Sequence, residues 1–189
     1  MSVAEVFQRI TSSLDQAGIR YMLTGSFASA YYGAGRATQD IDFVVAATGE
    51  QLRAFSRLLP AEDFYLDLQA ALEALDQQSM FNVIDKKAGW KIDLIVRKSR
   101  AFSVEEFKRR KPAQVQGISL FIGTAEDVVI SKLEWATLGK SQRQLEDISS
   151  ILRMRWESLD RDYLQKWVAD LRLKEAWNDA LRLAGISGQ

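Results

Sequence analysis

Apolar residues recur at helical spacing at Val3, Phe7, Ile10 and Leu14, which predicts a helix over residues 2–17 with one buried face, closed by Gly18. The short apolar run at 21–23 reads as a strand, and a second helix opens at Gly25-Ser26 and runs to about Tyr32, where Gly33 and Gly35 break it. Residues 41–46 form an apolar strand. Helices follow over 51–59, stopped by Pro60, and over 67–76. Residues 80–84 and 90–96 read as two strands joined through Lys86-Lys87-Ala88-Gly89. Ser103 with Glu106 three positions on is a capping-box pattern for a helix over 103–110, and residues 114–122 read as two short strands around Gly117.

The pattern changes after Gly123. Thr124-Ala125-Glu126-Asp127 is a helix start, and the chain reads as helical from there almost to its end, with one apolar stripe at Leu145, Ile148 and Leu152 and another at Leu164, Trp167, Val168 and Leu171. The expectation is an α+β fold: a mixed β-sheet flanked by helices over residues 1–122, with a helical subdomain over 123–189 packed on it. The tryptophans at 135, 156, 167 and 177 are expected in the core, with stacking on a base as the second reading for Trp135.

Composition narrows the chemistry. The 25 basic and 25 acidic residues cancel, so no global field draws the chain to nucleic acid or an anionic membrane. The basic run 108–111 reads as a solvated helix end, with an RNA-backbone contact as the minority reading. Cysteine and histidine are both absent, which excludes disulfides, thiol nucleophiles, Ser-His-Asp triads and zinc sites built on sulfur or imidazole. Any metal must be held by oxygen, which favours a hard cation such as Mg2+. There is no apolar run long enough to span a membrane, and the first residues do not resemble a secretory leader, so the expected location is cytoplasmic.

Three aspartates carry the candidate chemistry. Asp40 and Asp42 alternate at the start of a strand, so they face one way, about 7 Å apart at the backbone. Such a pair can converge on two ions roughly 3.5–4 Å apart, the arrangement of two-metal phosphoryl transfer; the alternative is a polar strand end facing water. Asp93 lies in the second apolar strand, where a buried carboxylate needs a cation or base beside it. It is either a paired structural residue or a third ligand and general base, a role that no histidine can take here. Gly25-Ser26 at a strand-to-helix turn is either an ordinary cap or a phosphate cradle. Arg36, with Thr38 between cradle and carboxylates, contacts a phosphate or an acidic neighbour. Lys132 reads as a solvated lysine or as a reach toward a triphosphate.

The order Gly-Ser, then R-x-T-x-D-I-D through Arg36, Thr38, Asp40 and Asp42, then the lone strand aspartate Asp93, resembles the nucleotidyltransferase superfamily. The tail fragment Lys132-Leu133-Glu134-Trp135, with Arg143-Gln144 and Asp147-Ile148 after it, is similar to the AbiEii-like branch, which includes toxins of toxin–antitoxin and phage-defence systems. The resemblance spans about residues 20–155, and bulky Phe27 after the Gly-Ser pair departs from the family pattern. It implies Mg2+ on Asp40, Asp42 and Asp93, a nucleoside triphosphate held by Gly25, Ser26, Arg36, Thr38 and Lys132, and transfer of a nucleotide to RNA, protein or a small molecule. A cognate antitoxin is the implied partner. A non-catalytic partner-binding module and a carboxylate-site phosphodiesterase or nuclease are the competing readings.

Overall fold

The computed structural model describes residues 2–35 and 37–186. The chain forms two compact units, one of residues 1–24 and 38–123, the other of 25–37 and 124–189. The sequence reading draws a single boundary at 122/123; the chain instead crosses between units after residues 24, 37 and 123.

The first unit holds a seven-stranded mixed sheet in the order β3-β4-β5-β2-β1-β7-β6. Its strands are β1 (Arg20–Thr24), β2 (Asp40–Ala46), β3 (Phe64–Leu66), β4 (Met80–Asp85), β5 (Lys91–Val96), β6 (Lys111–Val115) and β7 (Ile118–Ile122). β2 runs antiparallel to β1 and parallel to β5, and these two pairings fix the position of every candidate carboxylate. β3 was not expected: three residues are too few for a periodic signal, and only pairing with β4 defines them. β6 begins earlier than its pattern suggests, at Lys111-Pro112, a proline tolerated because β6 is an edge strand.

The sheet has two unlike faces. On one, Phe43 meets Phe7 of α1 (Val3–Gln16) and Tyr21 of β1 edge-to-face, with centroids 6.0 and 5.6 Å apart. The helices α3 (Gly49–Leu58) and α4 (Leu68–Gln77) pack in the same unit, with Leu52, Phe55 and Ala71 buried. On the other face, Met22 and Val44 are covered by Phe107 of α5 (Ala101–Arg109). That helix starts two residues before the expected cap. Ser103 is buried inside it and accepts a hydrogen bond from Arg100 Nε at 3.0 Å, so it is not the N-cap.

The second unit is helical. It contains α2 (Gly25–Tyr32), α6 (Ala125–Gly139), α7 (Gln142–Arg155), a 3-10 turn at Trp156–Ser158, α8 (Arg161–Asp170) and α9 (Lys174–Ala184). Thr124 caps α6 as expected, its Oγ1 accepting from Asp127 N–H. Lys140, in the left-handed region at φ 45°, turns the chain so that α7 returns along α6. Gly33 is at φ 122°, and a Cβ there would come within 2.7 Å of Met154 on α7, so only glycine fits that approach. No helix of the described residues is long and apolar enough to cross a membrane.

Candidate functional site

In a pleated sheet, register partners on neighbouring strands share a face. Asp42 is the direct partner of Thr24 on β1 and of Asp93 on β5, and Asp40 is the partner of Lys91. Asp40, Asp42 and Asp93 therefore stand on one face at one end of the sheet's central strands. Their exposure differs: Asp40 is exposed, Asp42 half-buried and Asp93 buried. Thr38 Oγ1 accepts from the Asp40 backbone N–H at 3.2 Å, so Thr38 shapes the turn that leads into β2.

Asp93 is satisfied by its own unit. Its Oδ2 accepts from Lys91 Nζ at 2.9 Å, and its Oδ1 accepts from Asn82 Nδ2, which comes from the cross-strand partner on β4. Neither neighbour was singled out from sequence. Lys91 could have been, because it is two positions before Asp93 on the same face. The hydrogen bond to Asp93 raises the Lys91 pKa, burial opposes this, and the charges of Asp93, Asp40 and Asp42 add to the rise. One ammonium thus sits in the field of all three carboxylates.

Among the described residues no group of three or more acidic side chains is gathered closely enough to hold an ion as it stands. The donor chemistry nevertheless fits a hard divalent cation: only carboxylate oxygens, with no nitrogen or sulfur ligand. Lys91 pairs with Asp93 and lies in the field of Asp40 and Asp42, and its side chain is 44% exposed.

The remaining candidates lie in the helical unit. Gly25, the first residue of α2, has φ 63°, a conformation that favours glycine at this junction. Ser26 is half-buried, and Ser29 donates to the Gly25 carbonyl at 2.8 Å. Phe27 is buried, so its bulk belongs to the packing of α2. Arg36 lies outside the described residues.

Lys132 corrects the solvated reading. It is 4% exposed and donates to Asp147 Oδ2 and Gln144 Oε1, each at 2.8 Å, across the α6–α7 turn. Three residues of the tail fragment that suggested a branch of the family, Lys132, Gln144 and Asp147, are thus in contact. A neighbouring buried network was not anticipated: Asp127 accepts from Tyr163 Oη at 2.6 Å and from Thr124 Oγ1 at 2.7 Å. Trp135, expected in the core, is 58% exposed, because α6 turns it away from the face that buries Val128, Lys132 and Ala136.

No protein-family model matches the chain, and no curated protein matches it in sequence. Solved structures do. A crystal structure of ANT(2'')-Ia in complex with adenylyl-2''-tobramycin aligns over 90% of this chain and 97% of that one, at TM-score 0.59 and 12% identity. A solution structure of the same antibiotic-resistance factor aligns over 95% and 97%, at TM-score 0.54 and 13% identity. An antigenic nucleotidyltransferase-like protein from Paracoccidioides brasiliensis aligns over 94% and 90%, at TM-score 0.51 and 18% identity. At these identities the shared property is the fold: this chain has the mixed sheet and flanking helices of a nucleotidyltransferase-like protein.

Proposed function

We propose that this chain is a Mg2+-dependent nucleotidyltransferase that moves a nucleoside monophosphate from a nucleoside triphosphate to a hydroxyl and releases pyrophosphate. The observation that carries this reading is the register of Asp42 with Asp93, with Asp40 on the same face and one ammonium in the field of all three. Nucleotidyltransferase-like neighbours support it at the level of fold.

In this reading Asp40, Asp42 and Asp93 hold the Mg2+, expected as two ions. Bound there, the metal supplies charge neutralisation of the phosphates and of the leaving pyrophosphate. Lys91 swings off Asp93 to yield its carboxylate. Asp93 takes the proton of the attacking hydroxyl as the new oxygen–phosphorus bond forms and the bond between the α- and β-phosphates breaks. Gly25, Ser26, Arg36, Thr38 and Lys132 are the proposed nucleotide-binding residues. Lys132 would have to release Asp147 and Gln144 to reach a triphosphate, so its proposed role requires a rearrangement within α6 and α7.

The acceptor is an RNA, a protein or a small molecule. Placement in the AbiEii-like branch, with a toxin–antitoxin or defence role, a cognate antitoxin as partner and a cytoplasmic setting, is part of the proposal and rests on the resemblance of the tail fragment around Lys132, Gln144 and Asp147. The test is incubation with each α-labelled nucleoside triphosphate and Mg2+ together with total RNA, protein lysate and small-molecule pools. The expected result is label in one acceptor fraction with equimolar pyrophosphate, lost in Asp42→Asn. Label in no fraction with any of the four nucleotides would sink the proposal.

A second reading has its own observation. Asp93 is already paired with Lys91 and hydrogen-bonded by Asn82, which also suits a non-catalytic module that binds a partner protein. A stable complex with a partner protein, unchanged in Asp42→Asn and without turnover, would favour it.

A further inference from the structure

The face that carries the aspartates has a second charged end. Along β1, Arg20, Met22 and Thr24 share that face; along β5 it is Asp93 and Ile95, and the alternation continues to Arg97. Arg97 extends the ladder by donating its N–H to Val45 O at 2.8 Å. The face therefore runs from carboxylates at one end, through an apolar row at Met22, Val44 and Ile95, to arginines at the other, about 13 Å away by strand rise. Phe107 seals the apolar row, so the two charged ends are separate places and not one groove.

The arginine end opens on a cavity of about 460 Å³ lined by Arg20, Arg97, Gln51, Gln78 and Ser99 among others, with no acidic residue in its wall. In a chain of 25 basic and 25 acidic residues, that exclusion of carboxylates is a local bias. Among the described residues, Arg97 Nε is buried without a hydrogen-bond partner, and so is Arg110 Nε. Both guanidinium groups lie over the Phe107 ring, at 5.9 and 4.4 Å from its centroid. Arg110 donates to the Phe107 carbonyl, and its pKa is lowered first by burial and then by the charge of Arg20. Two cations thus share one ring, with the charge of Arg20 acting on Arg110, and among the described residues no ion pair to a carboxylate is formed by these arginines. The start of α3 adds little, because its capping box already binds the Thr48 and Gln51 N–H groups.

We propose that Arg20 and Arg97, with Arg110 behind them, form a phosphate-binding pocket distinct from the aspartate end. Guanidinium groups bind phosphate through paired N–H donors, and Arg20 and Arg97 both line the cavity, with Gln51, Gln78 and Ser99 as further polar groups in its wall. The ligand is a phosphate group, carried either by a small molecule or by a nucleic-acid backbone. It needs no metal, and the pocket stands whether or not the aspartates catalyse transfer.

The test is calorimetry in EDTA with two probes, inorganic pyrophosphate and a short single-stranded oligonucleotide, on wild type, Arg20→Gln, Arg97→Gln, Arg97→Lys and Asp42→Asn. We expect one site in the wild type, at least about tenfold weaker in each Gln variant, partly retained in Arg97→Lys and unchanged in Asp42→Asn. An oligonucleotide that binds about tenfold tighter than pyrophosphate, with the same arginine dependence, assigns the pocket to nucleic-acid phosphate; one that binds no tighter assigns it to a small phosphorylated ligand. Arg20 is exposed, so Arg20→Gln keeps the test open if Arg97→Gln fails to fold. Binding of neither probe to the wild type, binding indifferent to both arginines, or binding lost in Asp42→Asn overturns the proposal.

Discussion

Two lysine–aspartate pairs, one in each unit, have nearly the same geometry and opposite character. Lys132 meets Asp147 at 2.8 Å with side chains 4% and 6% exposed; Lys91 meets Asp93 at 2.9 Å with side chains 44% and 10% exposed. The first pair is sealed between two helices and closed further by Gln144. Removing one partner there strands a charge out of water. The second pair lies at a strand end, where the lysine is held first by its hydrogen bond to Asp93 and then by the charges of Asp93, Asp40 and Asp42, and where the proposed metal would take its place. The bond length does not distinguish an architectural pair from an exchangeable one; burial and the surplus of neighbouring charge do.

The largest expected effect is on the sealed pair. Lys132→Ala should lower unfolding stability by about 3–5 kcal/mol in urea titrations, because Asp147 is left buried and uncompensated. The double variant Lys132→Met with Asp147→Leu should recover most of that loss, since apolar replacement of a buried ion pair is often neutral. If Lys132→Ala costs no more than a surface pair, the contrast between the two regions is gone.

The exposed pair should behave otherwise. Lys91→Gln should change stability by less than about 1 kcal/mol, the range of solvent-screened pairs, while tightening divalent-cation binding as seen by calorimetry. Asp42→Asn removes a like charge directly opposite Asp93, a repulsion worth roughly 0.2–1 kcal/mol, so in EDTA it should melt no lower than the wild type. A marked loss of stability in Asp42→Asn would make that carboxylate structural.

The smallest effect concerns alkaline pH. The folded-state pKa of Lys91 is raised, so the stability it adds is fully present below the unfolded lysine value and is lost as pH rises through the folded one. Tyr21 titrates in the same region: burial and the charge of Asp15 push it up to about 12, so the fold loses stability as unfolded tyrosine ionises above about pH 10. Comparing alkaline melting of Tyr21→Phe with that of Tyr21→Phe plus Lys91→Gln isolates the lysine, and the expected difference is slight.

Much of the aspartate end was legible because strand alternation is a local rule: Asp40 and Asp42 must share a face once their segment is a strand. That Asp93 joins Asp40 and Asp42 was an expectation from motif order, and its register with Asp42 comes only from the pairing of β2 with β5. What local rules could not carry was burial of charge. Lys132 and Asp147 are on different helices, and only the left-handed turn at Lys140 brings them together. Trp135 was expected in the core on residue type alone, but its position on α6 faces it outward. The basic run 108–111 read as a solvated helix end, yet Arg110 is half-buried against Phe107 and Phe121. Its stacking partners come from a helix and a strand of the same unit, and no spacing rule links them.

The central claim is that Asp40, Asp42 and Asp93 share divalent cations and hold a nucleoside triphosphate through them. The most direct measurement is calorimetric titration of each of the four nucleoside triphosphates, with and without Mg2+, into wild type, Asp42→Asn and Asp93→Asn. The account predicts Mg2+-dependent binding of at least one nucleotide to the wild type and its loss in both variants, with all three proteins folded. Equal affinity in the wild type and both variants, or no binding of any nucleotide in the presence of Mg2+, would contradict it.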